Sequence, residues 1–358
     1  MNLFLSTLRR GLPLAVLGLG LATGAAVAAN SYQVRNLVSD GGVPADHRDD
    51  NLKNGWGIAF NPNGFVWVAD NGAGVSTLYD GLGNPQSLVV SIPSASDNGP
   101  GTPTGIVFSG SSDFVVRNST TAGPSRFIFA SEDGLISGWS PGVDGTHAIH
   151  AVFMSGAVYK GLTIASNNGA NMLYAADFHG RKIDVFNANF GPVKIPGGFV
   201  DPTVPAEYSP FNIVALGGRL YVAYAQKETG GNDEVRGPGL GIVDEYDTGG
   251  HLLRRIATGG TLNAPWGMAI APANFGDFST RLLGGNFGDG TISAYDLTSA
   301  TFQGQLQNPG GEVIAIDGLW GIAFGNNLSS QPTTTLFFAA GPNEEENGVY
   351  GRIDVVSP

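Results

Sequence analysis

One short pattern recurs six times along the 358-residue chain, and it limits the fold more than any other feature. The six copies are Gly55-Trp56-Gly57-Ile58-Ala59, Pro103-Thr104-Gly105-Ile106-Val107, Tyr159-Lys160-Gly161-Leu162-Thr163, Pro210-Phe211-Asn212-Ile213-Val214, Pro265-Trp266-Gly267-Met268-Ala269 and Leu319-Trp320-Gly321-Ile322-Ala323. They recur at about fifty residues, the period of a propeller blade. Each is followed by a second apolar run, such as Phe65 to Ala69, Leu220 to Tyr224 or Leu336 to Ala340. A third run alternates apolar and polar residues, as in Val75 to Tyr79 and Lys182 to Phe186, the signature of strands joined by hairpins. The expectation is an all-β, six-bladed β-propeller of four-stranded antiparallel blades. The sixth unit holds three strands, and Tyr32 to Val38 has the pattern to supply its fourth and close the ring, which would remove exposed sheet edges.

Composition agrees with that fold. Charged residues are 13% of the chain and glycines number 55, so turns abound and long helices lack their usual residues. Glycine in five of the six openings is expected where inner strands converge too closely for a side chain, with Asn212 as the exception. Trp56, Trp266 and Trp320 are expected to wedge between blades; lining the mouth of an axial channel is the alternative. The insertions Gly191 to Glu207 and Lys227 to Gly237 have no shape legible from pattern.

Residues 1–29 have the pattern of a secretory signal: Arg9 and Arg10, then the apolar Leu12 to Leu21, then Ala26-Val27-Ala28 with cleavage after Ala28 or Ala29. The apolar stretch is shorter than the ~20 residues that cross a bilayer. The expected organisation is therefore a leader at 1–29 and one domain at 30–358, exported to the periplasm or outside the cell, monomeric and without a membrane span. The net charge of −12 becomes −14 once Arg9 and Arg10 are removed, so nucleic acid is not an expected partner. There is no cysteine, which excludes disulfides and thiol chemistry.

The strands Val66-Trp67-Val68-Ala69-Asp70 and Leu173-Tyr174-Ala175-Ala176-Asp177, each following an opening of Pro-x-Gly-Ile-Ala type, resemble the NHL class of six-bladed propellers. Over nearly the whole mature chain the sequence is also similar to a family of exported bacterial propellers of unassigned function. The segments that carry this are Ala45 to Asp49, Asn54 to Gly57, Gly285 to Gly290, Asp317 to Gly321 and Ala340 to Glu344. The resemblance implies the fold and no activity. Members of that family often end in a surface-sorting tail, and this chain stops at Ser357-Pro358, so free export is the expectation.

In a propeller, the loops leading into the first strands and the hairpins between second and third strands open on one face. They gather His47, Asp49, Asp50, Asn54, Asn263 and Asp317 with Asp70, Asn71, Glu132, Asp133, Asp177, His179, Asn286, Asp289, Asn343 and Glu344. Oxygen donors dominate this set, as a Ca²⁺ site requires, although Asp and Asn also serve turns for their own sake. The run Glu344-Glu345-Glu346 is expected to be a solvated loop, with cation binding the alternative. No nucleophile elbow, zinc-protease helix or phosphate loop occurs.

Two functions follow. One is a secreted binding or scaffold protein for an extracellular polymer, peptide or surface protein. The other is a Ca²⁺-dependent hydrolase or lactonase with Asp70, Asp177, Asn286 and Asp317 as metal ligands and His47 or His179 as base. A quinone-dependent oxidoreductase is disfavoured by the scarcity of basic residues on that face.

Overall fold

Each repeat folds into a four-stranded antiparallel sheet in the computed structural model, which describes Met1 and residues 31–96 and 99–356. The expected leader otherwise lies outside the described residues. Blade I comprises Gly55–Phe60, Val66–Asp70, Val75–Tyr79 and Val90–Ser91, from the axis outward. Blade II comprises Pro103–Phe108, Phe127–Ser131, Leu135–Trp139 and Ile149–Phe153, with a small extra hairpin, Val115–Arg117 and Ala122–Pro124, after its first strand. Blade III is Tyr159–Asn167, Ala170–Asp177, Lys182–Phe186 and Pro192–Val193; blade IV is Tyr208–Leu216, Arg219–Gln226, Ile242–Tyr246 and Leu252–Thr258. Blade V is Pro265–Ile270, Leu282–Asn286, Ile292–Tyr295 and Phe302–Gln305. Second and third strands begin and end within two residues of their expected limits. The sole helical element among the described residues is a 3₁₀ turn at Gly276–Phe278, and no helix there is long and apolar enough to cross a membrane.

Blade VI closes the ring. Leu319–Phe324, Leu336–Ala340 and Val349–Val356 are joined by the N-terminal strand Ser31–Ser39, which pairs antiparallel with Val349–Val356 from Ser31↔Val356 to Ser39↔Val349 around one bulge. Tyr32 fastens the seam further, because its buried hydroxyl donates to the Phe275 carbonyl of blade V at 3.1 Å. A short strand, His47–Arg48, lies parallel to Ser31–Ser39 on the outer rim.

Every blade is covered on both sides by its neighbours, so the second strands are buried on both faces. All five residues of Val66–Asp70 and of Leu336–Ala340 are buried, which is why those runs read as continuous apolar stretches. Aromatic rings fill the layers between blades: Trp67 stacks on Phe127 at 4.0 Å between blades I and II, and Tyr79 on Tyr350 at 5.2 Å between blades I and VI. Each such side chain contributes about 2–3 kcal/mol by burial.

The glycine of the openings answers to close approach between adjacent inner strands. A Cβ on Gly321 would lie 2.5 Å from the Trp56 carbonyl oxygen, and one on Gly267 would lie 2.4 Å from that of Trp320. Between blades IV and V the equivalent residue is Asn212, and its side-chain amide donates to the Trp266 carbonyl at 2.8 Å. The asparagine thus bridges a seam that elsewhere closes by direct backbone contact.

Candidate functional site

The residue before the glycine in each opening decides what occupies the axis. At five of the six positions that side chain joins or caps one cluster: Trp56, Lys160, Phe211, Trp266 and Trp320. The sixth, Thr104, bonds instead to the carbonyls of Ala130 and Tyr159. Trp320 stacks on Trp56 at 3.7 Å and on Phe287 at 3.8 Å, and meets Trp266 edge-on at 5.6 Å. The three opening tryptophans therefore do not wedge between blades as expected. They pack on one another, Trp56 and Trp320 stacked and Trp266 edge-on to both, and plug the axis, because adjacent inner strands bring these positions together; Trp67 and its neighbours fill the interblade layers.

Against this plug, at the end where the hairpins between second and third strands gather, stands one buried cation. The Lys160 side chain is 3% exposed and its ammonium lies 5.1 Å from the Trp56 ring centre. It donates to Glu132 Oε1 at 2.8 Å and to Asp233 Oδ1 at 3.3 Å. Burial opposes its charge, but Glu132, Glu234 and Asp233 overcome that and hold its pKa above the ordinary lysine value. Glu234, with a side chain 6% exposed, is pushed up to about 7 by burial, an effect that the Lys160 charge only partly offsets. Glu345 is also raised, first by burial and against the hydrogen bond from Asn54.

Three separate segments bring these carboxyls together. Glu132 comes from the blade II hairpin, Asp233 and Glu234 from the blade IV insertion, and Glu344 and Glu345 from the blade VI hairpin. Two asparagines link them: Asn54 Nδ2 donates to Glu345 Oε1 at 3.1 Å, and Asn71 Nδ2 donates to Glu132 Oε2 at 3.0 Å. The Asn54 oxygen in turn accepts the Trp320 indole N–H at 3.2 Å, tying the network to the plug. Asn343, Glu344 and Glu345 have φ of 58°, 54° and 67°, a left-handed run that costs non-glycine residues energy and turns Glu345 inward. Arg236 lies over Phe287 at 4.4 Å and pairs with Glu344 at 3.4 Å.

The residues expected to hold a metal are placed differently. Asp70 is fully buried in blade I, where it accepts the Thr77 backbone N–H at 2.9 Å, and burial raises its pKa well above the usual carboxylate range. Asp177 accepts the N–H groups of Val158 and Gly180 at 3.1 and 2.8 Å, bracing its own hairpin. Asn286 accepts from Asn263 N at 3.0 Å and donates to the Thr261 carbonyl at 2.7 Å. Asp317 is exposed and accepts from Asn343 N at 2.8 Å. These four are engaged in four separate local networks, and among the described residues no group of three or more His, Cys, Asp or Glu is placed to hold a metal ion. His47 lies on the outer rim of blade VI, away from the axis. His179 is exposed on the axial face and bonds to Asn232 of the blade IV insertion at 2.7 Å.

Sequence reasoning gathered Asn54, Asn71, Glu132 and Glu344 on this face. It passed over Lys160, Asp233 and Glu234, and left Glu345 in a run expected to be solvated; the structure exposes Glu344 at 86% but turns Glu345 inward. The available signal was Lys160 itself, an ionisable residue where three other openings carry tryptophan.

Fold and site together define a six-bladed β-propeller with an aromatic plug on its axis and an acidic, lysine-centred mouth. No protein-family model matches the chain. It belongs to the same family as uncharacterized protein L690 of Acanthamoeba polyphaga mimivirus, with 34% identity over 91% of this chain and 86% of that protein. Uncharacterized protein R648 of the same virus is 32% identical over 91% of this chain and 81% of its own length. Among solved structures, a streptogramin B lyase superposes with a TM-score of 0.54 at 14% identity, covering 92% of this chain and 98% of the lyase. The aldose sugar dehydrogenase of Streptomyces coelicolor, in a form with bound PQQ, gives a TM-score of 0.54 at 16% identity over 91% of this chain and 98% of the dehydrogenase. At these identities the likeness is one of fold.

Proposed function

We propose that the protein is an exported binding propeller that grips a cationic group of its partner, such as the amines of a basic peptide or an amino polymer, at the acidic axial mouth. The observation that supports this is the convergence of Glu132, Asp233, Glu234, Glu344 and Glu345, from three blades, around Lys160 and Arg236. Asp233 and Glu344 are 74% and 86% exposed, so a ligand can reach them while Lys160 keeps its 2.8 Å bond to Glu132. Export is supported by the leader pattern of residues 1–29, and the NHL-like Ala-Asp strands fit a propeller that binds through its face.

The test is titration of the protein with an oligolysine peptide, reading fluorescence anisotropy. Asp233→Asn combined with Glu344→Gln is expected to weaken binding about tenfold, equivalent to about 1.4 kcal/mol. The same charge change made away from the mouth, at Asp277 in the connection between the first and second strands of blade V and at Glu312, is expected to have a much smaller effect. Equal losses in the two double variants would show attraction to net charge alone and overturn the proposal.

A hydrolase or lactonase is the second reading. Its support is Glu234, a carboxyl poised near neutrality as a general acid–base residue should be. Its calcium-dependent form would need Asp70, Asp177 and Asn286 to leave the local bonds that now occupy them.

A further inference from the structure

The opposite end of the axis has a different chemistry. Beyond the plug, the inner strands of all six blades line a cavity of about 330 Å³ that reaches Trp266 and opens to solvent at its outer end. Glycine backbone and aliphatic side chains form its wall, with Ile58, Val107, Val214, Leu216 and Ala323 among them. The two polar side chains of the lining are already engaged. Thr163 Oγ1 accepts the Ala215 N–H at 2.9 Å, and the Asn212 amide bonds to the Trp266 carbonyl and the Ile213 N–H, both at 2.8 Å.

The surroundings are equally poor in charge. Of the six connections between first and second strands at this end, four, residues 61–65, 168–169, 217–218 and 325–335, contain no Asp, Glu, Lys or Arg. The other two carry Asp113, Arg117 and Arg126, and Asp277 and Arg281; Asp113 accepts from Asn171 at 2.8 Å, Arg126 donates to the Ser111 carbonyl at 3.2 Å and Arg281 pairs with Asp296 at 3.3 Å.

We infer that this cavity is a binding site for a neutral, apolar small molecule the size of two fused or linked rings or a medium-length alkyl chain. The polar part of the wall is inner-strand backbone, and beyond the Thr163 hydroxyl its side chains give water few partners, whereas a buried water needs two to four. An apolar cavity of ~150 Å³ stays dry and admits one benzene ring; this one is about twice that size. Neutrality follows from the mouth: a carboxylate or ammonium head would lose its hydration with no counter-charge in the lining to replace it. The site shares no residue with the acidic mouth, so the two proposals stand or fall separately.

The probe is the neutral fluorophore N-phenyl-1-naphthylamine, added to the whole protein. Its emission is expected to rise to saturation, with energy transfer from tryptophan because Trp266 lines the cavity. Decanol is expected to displace it, and decanoate to do so about tenfold less well, the loss expected when a charged head is desolvated. Val107→Trp and Val214→Trp, on blades II and IV, fill the cavity and are each expected to weaken the dye at least about tenfold, with thermal unfolding confirming that each variant is folded. Asp233→Asn with Glu344→Gln is expected to leave dye binding unchanged. The inference is overturned by a rise that never saturates, by absence of energy transfer, or by full binding in either folded tryptophan variant. The first two outcomes require no variant.

Discussion

The two ends of the propeller axis are built on the same six strands, yet one is acidic and filled while the other is apolar and hollow. The difference arises two residues apart. At the residue before the glycine, or before Asn212, five of the six openings carry Trp56, Lys160, Phe211, Trp266 and Trp320, large enough to meet across the ring. At the residue after it stand Ile58, Ile106, Leu162, Ile213, Met268 and Ile322, which turn into the layers between blades or only fringe the axis. A ring of strands cannot close to nothing, so whatever the inner strands do not fill remains as space. Here that space is left on one side of the plug only. The lesson is that an axial position in a propeller is worth more than its burial: one lysine placed there collected carboxyls from three blades.

The largest effect that can test this contrast is removal of the plug. Trp320→Ala deletes the ring against which Trp56, Phe287 and Trp266 pack, and is expected to cost about 3–5 kcal/mol, read as a lower denaturant midpoint with an unchanged slope. It should also merge the two ends, so that the apolar dye gains access to the acidic side. A small loss of stability would mean that the ends are held apart by the strands and not by the aromatic cluster.

Next is the pH response of the acidic end. Glu234 is raised from 4.5 to about 7 in the folded protein, so its contribution to stability is fully present below pH 4.5 and is lost as pH rises through 7. Glu234→Gln is expected to flatten that loss, worth on the order of 3 kcal/mol at most, in unfolding curves taken between pH 4.5 and 8. An unchanged pH profile would move the titration to another group and leave the mouth without a carboxyl poised at neutrality. The apolar cavity has no titratable side chain in its lining, so dye binding should stay level across the same range.

The smallest effect concerns the seam both ends share. Asn212→Ala withdraws the amide from the Trp266 carbonyl, and is expected to cost about 1–2 kcal/mol, the penalty of a buried acceptor left unpaired. The drop should be visible as a modest fall in the unfolding temperature. No fall would mean that blades IV and V close on each other as the other pairs do.

Much of this fold could be read before any coordinates. Six openings at a blade's spacing, each followed by runs of period two, led to six blades; the pattern of Tyr32 to Val38 led to ring closure, seen as Ser31–Ser39 paired with Val349–Val356. The candidate site was only half legible. Glu132, Asn54 and Asn71 fall at hairpins and strand approaches, whose position on the face follows from the repeat. Asp233 and Glu234 lie in an insertion outside the repeat, where no periodicity indicates which way a side chain turns. Asp70, Asp177 and Asn286 were legible as residues and misleading as a set: equivalent hairpin positions look like a ring of ligands, but each is engaged within its own blade.

What the sequence determined by itself is therefore the repeat and its consequences: strand number, the order of blades, the closing strand and the glycines that let inner strands touch. Local geometry and burial set those, and both leave a periodic trace. Only the tertiary structure decided that three tryptophans cluster on the axis, that Lys160 is buried among carboxyls from three blades, and that the other end of the axis is hollow. Those facts depend on distances between residues far apart in sequence, such as the 2.8 Å from the Trp266 indole N–H to the Lys160 carbonyl. Such a distance exists only once the ring has closed.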